Sequence, residues 1–92
     1  MKFMISWKIA PGHHKPAGEA FLQSGAPMPA GLTKLGRWHA PGSSRGWALV
    51  ECTDLKALAE HHTQWSDLLD LQVTPVLEDE EAGEAMARVY GK

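Results

Sequence analysis

Four stretches of this sequence alternate apolar and polar residues as β-strands do, and their order along the chain restricts the possible folds. They cover residues 2–9, 32–39, 46–52 and 69–77. In the first stretch Phe3, Ile5 and Trp7 fall on one face, because successive side chains of a strand point to opposite faces. In the fourth, Pro75 has no N–H to donate to a neighbouring strand, which predicts an edge strand or a strand end.

Helical patterns separate and follow these strands. Residues 15–23 have Pro16 near the first turn and Gly25 just past the end, as helices often do. A second helix is predicted to begin after Thr53 or Asp54, either of which is a good N-cap. Its buried stripe, at spacings of three and four residues, comprises Leu55, Leu58, Ala59, His62 and Trp65. A short C-terminal helix opens with four acidic residues, where the helix dipole favours negative charge.

This order predicts a single α+β domain over residues 1–92, with the ferredoxin-like β-α-β-β-α-β arrangement and a short C-terminal helix. Both main helices then cover one face of the sheet, but the chain has apolar residues for both faces. The set expected under the helices is Phe3, Trp7, Leu49 and Leu71, and the set left outside is Met4, Leu35, Ala48 and Val50. The reverse assignment exposes the aromatic residues instead. An exposed apolar patch usually marks an interface, so we expect a homodimer through the sheet face.

Composition and charge argue against several classes of protein. The net charge is −2 and the basic residues form no run, so we expect no nucleic-acid partner. No apolar stretch approaches the ~20 residues needed to span a bilayer, and the N-terminal alternation does not resemble a signal peptide. The single cysteine, Cys52, cannot form an internal disulfide, which fits a reducing compartment and predicts a cytoplasmic location.

Several short motifs occur together in the chain. They are Met1-Lys2-Phe3-Met4 followed by Trp7, Gly36-Arg37-Trp38-His39, Trp65-Ser66-Asp67-Leu68-Leu69-Asp70-Leu71, and Thr74-Pro75-Val76-Leu77 followed by acids. In these motifs the sequence resembles the uncharacterised bacterial family catalogued as domain of unknown function 3303, nearly end to end. The resemblance implies a dimeric α+β barrel, in which two such sheets close into one barrel. It implies no activity, because relatives in that superfamily include cofactor-free monooxygenases, lactone isomerases, haem enzymes and ligand-sensing domains.

The second and third strands are predicted to form a hairpin around the turn-rich residues 40–44. A register in which paired residue numbers sum to 85 gives the pairs Trp38–Trp47, Gly36–Leu49 and Lys34–Glu51. The structural interpretation is a cross-strand aromatic pair and an ion pair, each worth up to about 1 kcal/mol. The functional interpretation is an aromatic pocket in which a buried Glu51 acts as acid or base.

Three more polar positions have both a structural and a functional interpretation. Arg37 and His39 share the opposite face of the second strand, where they could bind a carboxylate or phosphate or could lie solvated at a rim. His62 lies on the apolar stripe of the second main helix, where it could transfer protons or could simply pack with one nitrogen satisfied.

Two functional hypotheses follow. In the first, a small, partly apolar organic molecule binds between the sheet and the helices. Its candidate ligand-binding residues are Trp7, Trp38, Trp47, Trp65, Arg37 and His39. The alternative is a cofactor-free enzyme, monooxygenase- or isomerase-like, in which Glu51 or His62 moves the proton. We expect no cofactor and no metal, because the adjacent histidines at 61–62 point about 100° apart on a helix and no ligand-spacing motif accompanies them.

Overall fold

The computed structural model describes residues 1–91, and its elements follow the predicted order. The strands are β1 (Lys2–Ile9), β2 (Leu32–His39), β3 (Arg45–Cys52) and β4 (Leu69–Val76). The helices are α1 (His14–Ser24), α2 (Leu55–Trp65) and α3 (Asp79–Tyr90). The predicted α+β, ferredoxin-like class is confirmed.

The four strands form one antiparallel sheet in the order β2-β3-β1-β4. β1 and β3 are therefore central and β4 is an edge, as predicted. Pro75 lies on this edge strand opposite Phe3, where a residue without an N–H can be accommodated. The sheet is open, because its two outer strands β2 and β4 do not pair with each other.

The register decides which residues lie under the helices. Phe3 pairs with Val50 and Ile5 pairs with Ala48, and all four side chains are buried. We call this the inner face. It forms a core with residues from β2, β3 and α2, namely Leu32, Cys52, Ala57 and Leu58. Cys52 is buried in this core, where a free cysteine packs as a small apolar side chain.

The opposite side of the sheet, which we call the open face, has apolar residues too. Met4 pairs with Leu49, and Trp38 pairs with Trp47 across the hairpin. The predicted grouping of residues by face was therefore wrong for Leu49, Ala48 and Val50. Directly paired residues of an antiparallel ladder share a face, so Val50 joins Phe3 on the inner face and Leu49 joins Met4 on the open face.

A β-bulge in β2 changes part of the predicted hairpin register. The pairs Trp38–Trp47 and Gly36–Leu49 are present, but the register shifts between Lys34 and Gly36. Lys34 consequently pairs with Val50 and Thr33 pairs with Glu51, so the predicted Lys34–Glu51 pair is wrong. An extra residue in one strand displaces every pair beyond it by one position.

The three helices differ in how firmly they are held. The Asp54 carboxylate accepts a hydrogen bond from the backbone N–H of Lys56 at 2.9 Å, which caps α2 as predicted. α1 ends at Gly25 in the left-handed conformation and buries one residue, Ala17. None of the twelve residues of α3, all within the described range, is buried. A 3.0 Å salt bridge from Lys2 to Glu78 lies at the start of α3.

The molecule is elongated for its size. It measures 54 × 28 × 18 Å with a radius of gyration of 15.6 Å. A compact chain of this length has a radius of gyration of about 12 Å. No residue of α3 is fully buried, and Ala82 is its one half-buried residue, so this helix packs only lightly on the rest of the chain.

Gly46 of β3 pairs with Trp7 of β1, and the Trp7 ring lies over its backbone. A methyl group there would collide with the indole ring of Trp7 and with the carbonyl oxygen of Trp38. We therefore expect Gly46→Ala to lower the free energy of unfolding by about 1–3 kcal/mol, as overpacking does, measured by urea denaturation. Gly83→Ala in α3 meets open space and should not lower it. Equal effects of the two substitutions would contradict this account of Trp7 packing.

Candidate functional site

A cavity of about 310 Å³ lies between the inner face of the sheet and the helices α1 and α2. Its floor is formed by side chains of the sheet. They include Trp7 and Ile9 of β1, Leu69 and Leu71 of β4, and the core residues Ile5 and Ala48. Ala17, Gly18 and Phe21 of α1 form one wall, and His61 and Trp65 of α2 form another. Apolar and aromatic groups with a few polar ones are the usual lining of small-molecule sites.

The cavity and the core share Ile5 and Ala48 but otherwise extend over different parts of the inner face. Phe3, Val50 and Leu58 pack together in the core, whereas the cavity lies toward Trp7 and Ile9, at the other end of β1. Small residues in the lining leave the space unfilled. A side-chain atom added at Gly18 of α1 would meet nothing within 4 Å.

Arg37 extends from β2 into the lining of the cavity and also holds the end of α1. Its guanidinium donates hydrogen bonds to the carbonyl oxygens of Gly25, at 3.3 Å, and Ala26, at 2.7 Å. Its central carbon lies 5.8 Å from the centre of the Phe21 ring, within the range of a cation–π contact. Burial lowers the pKa of Arg37 from its ordinary value, but a guanidinium remains protonated at physiological pH.

His39 lies two residues beyond Arg37 on the same face of β2 and contacts two aromatic rings. Its imidazole makes edge-to-face contacts with Trp7 and Phe21, each with the ring centres 5.2 Å apart. Such contacts fix the orientation of the ring at the cavity. Two further imidazoles line the cavity, those of His14 on α1 and His61 on α2.

His61 is the most deeply buried polar side chain of the site. It is 6% exposed, and its Nδ1 atom has no hydrogen-bond partner among residues 1–91. Burial lowers its pKa, and the nearby positive charge of Arg37 and the neighbouring His62 lower it further. The side chain is therefore a neutral imidazole near pH 7, and its orphaned nitrogen can hydrogen-bond to a bound molecule.

The structure separates the residues predicted as one site. Trp7, Trp65, Arg37 and His39 line the cavity. Trp38 and Trp47 lie on the open face, 55% and 39% exposed, because the strand alternation places them opposite to Arg37 and Ala48. The catalytic candidates Glu51 and His62 both lie outside the cavity lining. Glu51 is exposed on the open face near Lys2, and His62 is half-buried on α2.

His61 was not among the predicted site residues, although the sequence contains a signal for it. It follows the buried Ala57 and Leu58 at spacings of four and three residues, which is the same helical periodicity that was assigned to its neighbour His62. Two phases of the helix were compatible with the apolar residues of α2. Contact with the sheet selects the phase in which residue 61 faces inward.

A comparison with protein families identifies the family of this chain. A family model described as Domain of unknown function (DUF3303) matches residues 1–90. The chain belongs to this family. A search of curated proteins found no match.

Metal and membrane features can be reported for the described part of the chain. Within residues 1–91, no group of three or more His, Cys, Asp or Glu side chains is placed to hold a metal ion. No helix in that range is long and apolar enough to cross a membrane.

The depressed pKa of His61 predicts acid sensitivity. Unfolded His61 takes up a proton at about pH 6.5, whereas the folded side chain resists protonation until lower pH. Its contribution to stability is complete above about pH 6.5 and is lost as the pH falls below that value. His61→Leu should flatten the decrease in unfolding free energy between about pH 7 and pH 5, measured by urea denaturation. His13→Leu, at an exposed position, should leave the slope unchanged, and identical slopes in all three proteins would refute the prediction.

Proposed function

We propose that this protein binds a small, partly apolar organic molecule in the cavity between the inner face and helices α1 and α2. The observation that carries this proposal is the combination of an apolar, aromatic lining with a buried imidazole nitrogen that lacks a partner. Leaving a buried polar atom unsatisfied costs about 1–3 kcal/mol. A ligand that supplies the missing hydrogen bond while covering Trp7 and Leu71 would recover both polar and apolar contacts.

Binding is favoured over proton transfer by Glu51 or His62 because neither of these two residues lines the cavity. Glu51 and His62, the residues that a cofactor-free reaction was expected to use, are outside the cavity. A general acid or base has to lie within hydrogen-bond distance of the reacting atom, directly or through one water. A binding module is therefore the function that this geometry supports best.

Filling the cavity should abolish binding without unfolding the protein. Gly18→Leu places a side chain where an added atom meets nothing within 4 Å, on the wall of the cavity. Gly83→Leu makes the same change at an open position of α3, outside the lining. We expect the uncharged fluorescent probe N-phenyl-1-naphthylamine to bind the parent and the Gly83→Leu variant, and to lose binding in Gly18→Leu. Fluorescence titration measures this, and unchanged binding in Gly18→Leu would place the probe elsewhere.

We further propose that two copies associate through the open face. This face has an apolar surface across three adjacent strands, formed by Met4, Trp38, Trp47 and Leu49. Trp38 and Trp47 remain substantially exposed in one chain, so they are available to a second copy. Contiguous exposed apolar surface of this kind is typical of interfaces. A second copy offers the same surface, and a two-fold axis brings the two patches together without leaving an unpaired sheet face.

The exposed apolar residues of α3 support the same association. Met86, Val89 and Tyr90 are between 59% and 83% exposed, so the large apolar side chains of this helix remain uncovered in one chain. Isolated helices of about 12 residues are only marginally stable in water without packing. A second copy provides apolar surface on which α3 can pack.

A charge on the open face should separate the two copies. We expect the parent protein at micromolar concentration to have the mass of two chains by size-exclusion chromatography with light scattering, and Trp47→Lys to have the mass of one. Leu55→Lys, at a 63% exposed position at the start of α2, serves as the control and should remain dimeric. A parent protein that elutes with the mass of one chain would eliminate the dimer.

A further inference from the structure

Most polar side chains of the cavity lining are of types that can carry positive charge, namely His14, Arg37, His39 and His61. The others are the hydroxyl of Ser43 and the neutral indole N–H groups of Trp7 and Trp65. None of the cavity-lining side chains in the described range 1–91 is acidic, although the chain has 11 Asp and Glu residues. The charge of the lining is therefore one-sided, which distinguishes the cavity from the mixed surface around it.

Arg37 has no carboxylate partner to balance its charge. Neither of the two salt bridges found among the described residues involves it. Its two terminal nitrogens each donate one hydrogen bond to a carbonyl oxygen. A guanidinium has five N–H donors, so some remain for a ligand. A partly buried cation that contacts only neutral groups is more stable when an anion binds beside it.

His61 and Arg37 are close enough to affect each other electrostatically. The Arg37 charge disfavours protonation of His61, whose Nδ1 atom is buried and unpaired. Burial of the His61 imidazole and the neighbouring His62 also lower the pKa of His61. An anion placed between the two side chains would attract the guanidinium and would also favour a proton on the imidazole.

We propose that the ligand of this cavity is a small carboxylic acid with a compact apolar body, its carboxylate lying between Arg37 and His61 and its body against Trp7 and Leu71. This inference rests on the proposed binding function and specifies its ligand class. One permanent cation in a lining that has no other permanent charge suits a monoanion, since a doubly charged phosphate would bring more charge than the site can neutralise. The volume of about 310 Å³ is at the small end of ligand cavities.

Benzoate and benzamide test the charge requirement, because they share shape and differ in charge. Isothermal titration calorimetry of the full chain should give benzoate at least about tenfold tighter binding than benzamide, the range expected for one hydrogen bond to a charged group. Benzoate affinity should increase as the pH is lowered from about 8 to 6, because the bound carboxylate would favour proton uptake by His61. Benzamide affinity should stay constant over the same range.

Substitutions inside and outside the cavity test whether Arg37 is the source of the preference for benzoate. Arg37→Gln should bring benzoate and benzamide to nearly equal affinity, whereas Arg45→Gln, which removes the same charge outside the cavity lining, should preserve the preference. Arg37 also donates hydrogen bonds to the carbonyl groups at the end of α1, so Arg37→Gln could act through the position of that helix. Arg37→Lys, which keeps the charge, and His61→Leu therefore provide a second comparison. Arg37→Lys should retain the preference for benzoate, and His61→Leu should reduce its pH dependence.

The outcomes distinguish a wrong ligand class from a cavity that binds no small molecule. If benzamide binds as tightly as benzoate, the carboxylate assignment is wrong and binding in the cavity stands. If neither compound nor the naphthylamine probe binds, both proposals fail. If Arg37→Gln and Arg45→Gln weaken benzoate equally, the preference arises from net charge and the assigned position is wrong.

Discussion

The antiparallel pairing of β1 with β3 is the constraint on which the rest of the structure depends. It brings Phe3 opposite Val50 and Ile5 opposite Ala48, and these pairs form the buried surface on which the helices lie. Because side chains alternate along each strand, the same pairing sends Leu49 and Trp47 to the open face. A shift of one residue would exchange the two faces, so this register is strongly selected by burial of the apolar pairs.

The inner face is used unevenly, and this unevenness produces the cavity. The helix α2 closes one end with Ala57 and Leu58 against Phe3 and Val50. At the other end, α1 contributes the small residues Ala17 and Gly18, which leave the sheet surface around Trp7 uncovered. Gly46 is needed there because the Trp7 ring occupies the place of its missing side chain. The packing that stabilises the sheet and the space available to a ligand are therefore set by the same few residues.

Arg37 connects the shape of the cavity with its charge. Its guanidinium holds the carbonyl groups of Gly25 and Ala26, which determines where α1 ends, and it is also the one permanent cation in the cavity lining among the described residues. A ligand that draws on this charge would act on the same group that positions α1. The deeply buried His61 adds a pH-sensitive group to the same lining, because burial and the nearby charge of Arg37 both lower its pKa.

The sequence by itself determined the order of elements, the ferredoxin-like class and the edge position of β4, because alternation, caps and Pro75 are local signals. It also identified Trp7, Trp65, Arg37 and His39 as candidates that the structure brings together in the cavity lining.

Only the tertiary structure decided the remaining placements. The β-bulge beside Lys34 moved Glu51 opposite Thr33, and no local pattern marks where a strand will take an extra residue. The contact of α2 with the sheet turned His61 inward in place of His62, because two helical phases satisfied the same apolar spacing. Pairing between strands that are distant in sequence placed Trp38 and Trp47 on the opposite face from Trp7. Residue spacing determines which side chains share a face within an element, and contacts between elements determine which of those faces meet.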